Sequence, residues 1–203
     1  MIVIDSFPQL DPLWFSARLG NPGASSFDKI VTNVKGEPSK SATAYAMQLA
    51  GEIVSGKAEE HYVSRDMEIG IEREEDARRT FVWETKINVR EVALCYPDEH
   101  KKYHISPDGL CDDGGGLEVK CPKMKTHIKY LLEGKFPKSD YNAQVQGSLM
   151  VTGLSHWWFI SYYPGIRPLI VKVLPDQEYI KKLSEALDSF CLQLYQMVAE
   201  IKK

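Results

Sequence analysis

Two short runs, Ser106-Pro107-Asp108-Gly109-Leu110-Cys111 and Gly116-Leu117-Glu118-Val119-Lys120-Cys121-Pro122, flank the turn-forming residues Asp112-Asp113-Gly114-Gly115. Apolar Leu117 and Val119 alternate with Glu118 and Lys120. This period of two reads as a half-buried strand with Glu118 and Lys120 on one face. The Gly-rich turn folds the chain back and can set Asp108 beside Glu118. Two carboxylates converging in a sheet repel each other unless a divalent cation lies between them. Next to a magnesium-type site, a Lys in register with Glu118 can position a water or help to deprotonate it. That is the chemistry of phosphodiester hydrolysis. A solvated acidic hairpin with an incidental Lys is the competing reading.

The elements that must position these residues belong to a chain of 203 residues, a length suited to one domain over 1–203 with a real core. Its formal charge is -3, so any contact with DNA must come from a local basic surface on an acidic molecule. This counts against a simple DNA-coating protein, but not against a nuclease whose metals offset its own carboxylates. Cys95, Cys111, Cys121 and Cys191 show no CxxC or Cys/His zinc spacing. The start, Met1 to Pro8, lacks the basic and long apolar regions of a signal peptide, and no apolar run is long enough to span a membrane. Reduced thiols in a cytoplasm are the expectation.

In chain order, Asp11 to Gly20 reads as a short helix, with Asp11 at the N-cap, Pro12 in the first turn and Gly20 as the stop. Trp14 and Arg18 share a face of it. A second helix is expected from Ala24 to about Thr32, a polar loop over 34–41, and a third helix from Ser41 to about Val54 with Tyr45, Leu49 and Ile53 in the core. A charged helix follows from about Ser64 to Glu84. In it Gly70 permits close approach to another backbone, and Glu72, Glu75 and Asp76 make surface pairs with Arg73, Arg78 and Arg79. Asn88 to Tyr96 reads as one strand and Tyr103 to Ile105 as another, with His104 partly exposed. Helices are expected from Lys125 to Leu132, and from an N-cap at Ser139 or Asp140 through Met150. An aromatic strand at 155–163, a strand at 169–173 and a long amphipathic helix from Pro175-Asp176 complete the chain. The lysines at 35, 40, 123, 125 and 129 could face phosphates or only water.

Asp-(x)9-Glu-x-Lys with Pro107 before the Asp is the PD-(D/E)xK nuclease signature, and with its flanks it closely resembles the phage lambda exonuclease family, also called the YqaJ-like viral recombinase family. The Trp14-x-x-x-Arg18-Leu19-Gly20 run followed by Ala24-Ser25, the Gly70-x-x-x-Glu74-x-Asp76-Ala77-Arg78 pattern and Ala143-Gln144-Val145-Gln146 resemble it too, so the likeness runs from Trp14 to about Met150. The resemblance implies an α/β (α+β) fold with a restriction-endonuclease-like core, a central mixed β-sheet flanked by helices. It implies magnesium, replaceable by manganese, held by Asp108, Glu118 and the Val119 carbonyl. Lys120 would orient or activate the water, with Glu74 and Gln144 completing the polar surround. A Gln on the exposed side of its helix is the alternative for Gln144. Arg18, Ser25 and Ser106 would hold a terminal 5′ phosphate. An Arg fork and a Ser at a helix start suit an anion, although a surface Arg and an ordinary Ser cap are the alternative.

Family membership further implies a 5′-to-3′ exonuclease on double-stranded DNA ends, a homotrimer ring, and a single-strand annealing protein as partner in recombination. It also implies a phage or prophage origin, in the cytoplasm of a bacterial host. Relatives that carry an iron–sulfur cluster have closely spaced C-terminal cysteines; only Cys191 lies in that region here, so no cluster is expected. Two other functions fit parts of the pattern: a PD-(D/E)xK endonuclease or repair nuclease of other polarity, and an inert DNA-binding module. The joint presence of Asp108, Glu118 and Lys120 argues against the inert module.

Overall fold

The computed structural model describes residues 1–58 and 65–203, with the backbone alone at 65–69 and 71. In order the elements are β1 (Ile2–Ile4), α1 (Pro12–Arg18), a 3-10 helix (Ala24–Lys29), α2 (Ala42–Ser55), α3 (Arg65–Thr85), β2 (Val89–Arg90), β3 (Leu94–Tyr96), β4 (Gly109–Cys111), β5 (Gly116–Lys120), α4 (Met124–Glu133), α5 (Lys138–Thr152), β6 (Trp157–Tyr163), β7 (Ile166–Val173) and α6 (Gln177–Ile201). Among the described residues the main sheet runs β2-β4-β5-β6-β7, and β1 pairs with β3 in a separate ribbon. Among the described strands only β5 and β6 pair in parallel. A parallel pair cannot be joined by a tight turn, and α4 and α5 make the crossover between them. The result is the expected mixed sheet flanked by helices.

The two faces of the sheet follow from the strand period. On β6, Trp157 and Phe159 enter the larger core with Phe27, Leu149, Leu183 and Leu187, while Ile160 joins Leu117, Val119, Ala77 and Phe81 in a smaller core beneath α3. Leu117 and Val119 thus anchor one face of β5, and Glu118 and Lys120 turn to the other. Ala77 and Phe81, four apart, are the residues with which α3 grips that smaller core.

Several expectations are corrected. The run 88–96 is not one strand: Val89–Arg90 pairs with β4, whereas Leu94–Tyr96, buried throughout, pairs with the N-terminal β1. Residues 103–105 form only isolated bridges, His104 to Gly23 and Ile105 to Cys95. The second helix is 3-10 and ends at Lys29. Helix α5 begins at Lys138 with Pro137 as its N-cap, two residues before the earlier of the two caps expected. Ser64, the expected start of the charged helix, lies outside the described residues. A Cβ built at Gly70 meets nothing within 4 Å, so close approach of a described neighbour is not its role. Among the described residues no helix is long and apolar enough to cross a membrane.

Candidate active site

The hairpin of β4 and β5 carries the acidic pair. Its register sets Gly109 opposite Leu117, which brings Asp108, one residue before the strand, across from Glu118. The turn closes through Gly114 at φ 84°, a left-handed conformation that glycine adopts without strain. Asp113 braces it, accepting from Gly115 N through one oxygen and from His156 Nε2 and Trp158 Nε1 through the other. A Cβ at Gly116 would lie 2.3 Å from the Trp157 ring, so glycine there leaves room for that ring where β5 pairs with β6.

Each carboxylate is held by one oxygen. Val119 N donates to Asp108 Oδ2 at 2.5 Å. Glu118 Oε1 receives Lys120 Nζ at 2.5 Å and Gln144 Nε2, from α5, at 2.7 Å. Among the described residues no protein donor meets the second oxygen of either group. Glu118 is buried, at 2% exposure. Burial pushes its carboxyl up to about 7 even though Lys120 pulls it down, and Asp108 and Glu74 add to the rise. Asp108 is likewise raised by desolvation, against the pull of Lys120, the Val119 N–H and Arg78. Glu74 on α3 is half-buried and reaches about 7, through desolvation first and the Asp108 charge second. For Lys120, burial alone would depress the ammonium, but Glu118 and Asp108 outweigh it and hold the group protonated.

These are groups that repel one another at close quarters, each with an oxygen to spare. That donor set fits a hard, oxygen-seeking divalent cation. Among the described residues no three His, Cys, Asp or Glu side chains gather around one metal position. The protein would therefore supply part of a coordination shell and leave the rest to water and substrate oxygens, as a magnesium-type ion prefers.

One cleft of about 470 Å³ is lined by Arg18, Ser25, Glu74, Ser106, Asp108, Glu118, Val119, Lys120 and Gln144. The structure thus brings together every site residue picked from the sequence. At one end Arg18 Nη1 donates to Ser106 Oγ at 3.1 Å, and the guanidinium lies 3.9 Å over the Trp14 ring. Trp14 is itself pinned by its Nε1, which donates to Ala93 O. Arg18 has no carboxylate partner among the described residues, and desolvation lowers its pKa.

Three cleft residues escaped the sequence reading. Arg78, assigned above to the helix surface, turns inward: Nη1 donates to Asp108 O at 3.1 Å and Nη2 lies 3.4 Å from Glu91. Among the described residues of that helix, Glu75–Arg79 is the one expected pair that forms. Gln9 spans Val92 O and Pro107 O with its Nε2, tying the N-terminal loop to the residue before Asp108. His104 is buried, at 2% exposure, rather than partly exposed. Nothing in local spacing marked Gln9 or Arg78, because the carbonyls they bond lie 30 or more residues away.

The sheet and this acidic hairpin define the class first: a mixed α/β nuclease fold. The chain superposes on an alkaline exonuclease (LHK-Exo) from Laribacter hongkongensis with a TM-score of 0.85 at 29% identity, covering 95% of this chain and 96% of that one. A structure of LHK-Exo in complex with dAMP gives the same values. A phage related exonuclease from Haemophilus somnus 129PT, at 17% identity, shares the fold with a TM-score of 0.71 over 89% of this chain and 96% of its own. The model of the YqaJ-like viral recombinase domain matches residues 13–155, and the chain belongs to that family. No curated protein matches the sequence significantly.

Proposed function

We propose that the protein is a magnesium-dependent 5′-to-3′ exonuclease that degrades the 5′-ended strand of linear double-stranded DNA to mononucleotides. The remaining 3′ single strand would pass to an annealing protein for recombination, in the cytoplasm of a bacterial host that carries the phage or prophage. One observation carries the polarity: Arg18, a guanidinium without a carboxylate partner, faces the same cleft as the carboxylate pair. A half-buried cation of that kind is satisfied by an incoming anion, and an Arg fork matches phosphate. Ser25 and Ser106 add hydroxyl donors. Membership of a viral recombinase family and the likeness to LHK-Exo support the nuclease reading.

A bound magnesium ion, or manganese in its place, would supply Lewis-acid stabilisation of the charge on the phosphate and leaving oxygen. Asp108, Glu118 and the Val119 carbonyl are the residues to hold it. Gln144 and Lys120 fix one Glu118 oxygen so that the other is presented in one orientation. The Lys120 ammonium, kept charged by its neighbours, orients a water or a non-bridging oxygen. Glu74 stands across the cleft, where it can accept a hydrogen bond from a bound water. Arg18, Ser25 and Ser106 anchor the terminal phosphate, which sets which bond meets the carboxylates. A homotrimer ring would keep the enzyme on its track, and a sedimentation mass of one chain would rule that ring out.

The test is digestion of linear duplex labelled separately on each strand, beside a closed circle, in magnesium. Mononucleotides from the 5′-ended strand alone are the expected product. Release from the 3′ end, or opening of the circle, would instead point to an endonuclease or a repair nuclease of other polarity.

A further inference from the structure

His104 lines the cleft beside Arg18, Ser25 and Ser106, yet the site as described leaves it without work. Its side chain is 2% exposed. The Nδ1 atom is sealed off with no hydrogen-bond partner, whereas Nε2 is not sealed. Among the described residues no protein group bonds Nε2 either. The main chain holds the ring in place: His104 N donates to Pro22 O at 3.1 Å, and Ala24 N donates to His104 O at 3.0 Å. This ladder sets the ring against Gly23, where a Cβ would lie 2.8 Å from Nε2. Glycine at 23 therefore lets that nitrogen approach the chain closely, two residues before Ser25.

The chemistry of the ring follows. Burial, and then the nearby Arg18 charge, press its pKa down to about 3, so the imidazole is neutral. A neutral imidazole has one N–H and one lone pair. A sealed, unpaired N–H is the rarer defect; an acceptor left short of partners is better tolerated. The lone pair therefore belongs on Nδ1 and the proton on Nε2, the nitrogen that is not sealed off.

We propose that His104, as its Nε2–H tautomer, is a further anion-binding residue that donates to the terminal 5′ phosphate gathered by Arg18, Ser25 and Ser106. This rests on the 5′-phosphate reading given above. A neutral donor adds a hydrogen bond to the phosphate without placing a second buried cation against Arg18. A 5′-hydroxyl end offers no such acceptor and leaves the donor unpaired, so His104 sharpens the choice between the two ends.

The experiment measures the ratio of digestion rates on 5′-phosphorylated and 5′-hydroxyl duplex for wild type, R18A, H104L and H104Q. The amide nitrogen of Gln reaches about as far as Nε2, so H104Q keeps the donor and H104L removes it. The expected ratio falls about tenfold in H104L and stays within about twofold of wild type in H104Q. An unchanged ratio in H104L overturns the proposal, as does an equal loss in H104Q, which would make the role one of shape. If R18A also keeps the wild-type ratio, the phosphate pocket itself falls. If R18A loses it while H104L does not, His104 alone is excluded. Independently of activity, ring 15N shifts of His104 should report Nε2 protonation and should move on addition of inorganic phosphate. A proton on Nδ1, or ring shifts that ignore phosphate, would overturn the assignment.

Discussion

Glu118 is pulled in two directions. Desolvation favours its protonated form, while Lys120 at 2.5 Å favours the carboxylate. The same contact keeps Lys120 an ammonium, the state suited to orienting a water. Glu74 offers a cleaner test, since no ion pair to it is found among the described residues. Its carboxyl rises from 4.5 to about 7. Between those values the folded chain holds a proton that the unfolded chain has lost, so this group's contribution to stability falls as pH rises through the window and is lowest above about 7. In EDTA at pH 8, E74Q should therefore melt higher than wild type. Glu74 remains partly open to solvent, which discounts the effect to roughly 1 kcal/mol, or about 2–4 °C in a chain of this size. The gap should close toward pH 5 in thermal melts. A gap that is constant with pH would mean that Glu74 is not the titrating group.

At the scale of elements, the site is a strand gripped from two sides. From one face α5 delivers Gln144 to Glu118; from the other α3 delivers Glu74 and fastens Arg78 to the Asp108 carbonyl. Helix α5 also lies tight on the 3-10 helix that carries Ser25, because a Cβ at Gly147 would come within 2.4 Å of Phe27, which is fully buried. G147A should overpack that contact and destabilise the fold by about 1–3 kcal/mol, seen as a lower midpoint in urea with an unchanged slope. An unaltered midpoint would show that the helices are free to part. The hairpin was legible in the sequence because its signals are local: a period of two, a Gly-rich turn, and chemistry-bearing residues on one face. Arg78 was not legible, since i,i+4 arithmetic offers it partners on its own helix and only the fold shows Asp108 facing it. His104 sits in a polar-looking stretch, and it packs closely against a glycine 81 residues earlier in the chain. The break between β2 and β3 is equally non-local, for the N-terminal β1 is what draws Leu94–Tyr96 out of the main sheet.

Over the whole molecule, a formal charge of -3 gives DNA no general attraction. On the proposed function, binding would come from Arg18 and its neighbours and from a cation that offsets Asp108, Glu118 and Glu74 in the same cleft. Removing the metal should therefore weaken DNA engagement as well as the chemistry. The most direct measurement is mononucleotide release from the 5′-ended strand of a 5′-phosphorylated linear duplex, followed across a magnesium titration and in EDTA for wild type and E118Q. The account predicts release by wild type that rises with magnesium, stops in EDTA, and falls by a factor of about a hundred or more in E118Q, the loss expected when a group that holds transition-state charge stabilisation in place is removed. Release that persists in EDTA, or an E118Q chain as active as wild type, would contradict the assignment of this cleft as the site of cleavage.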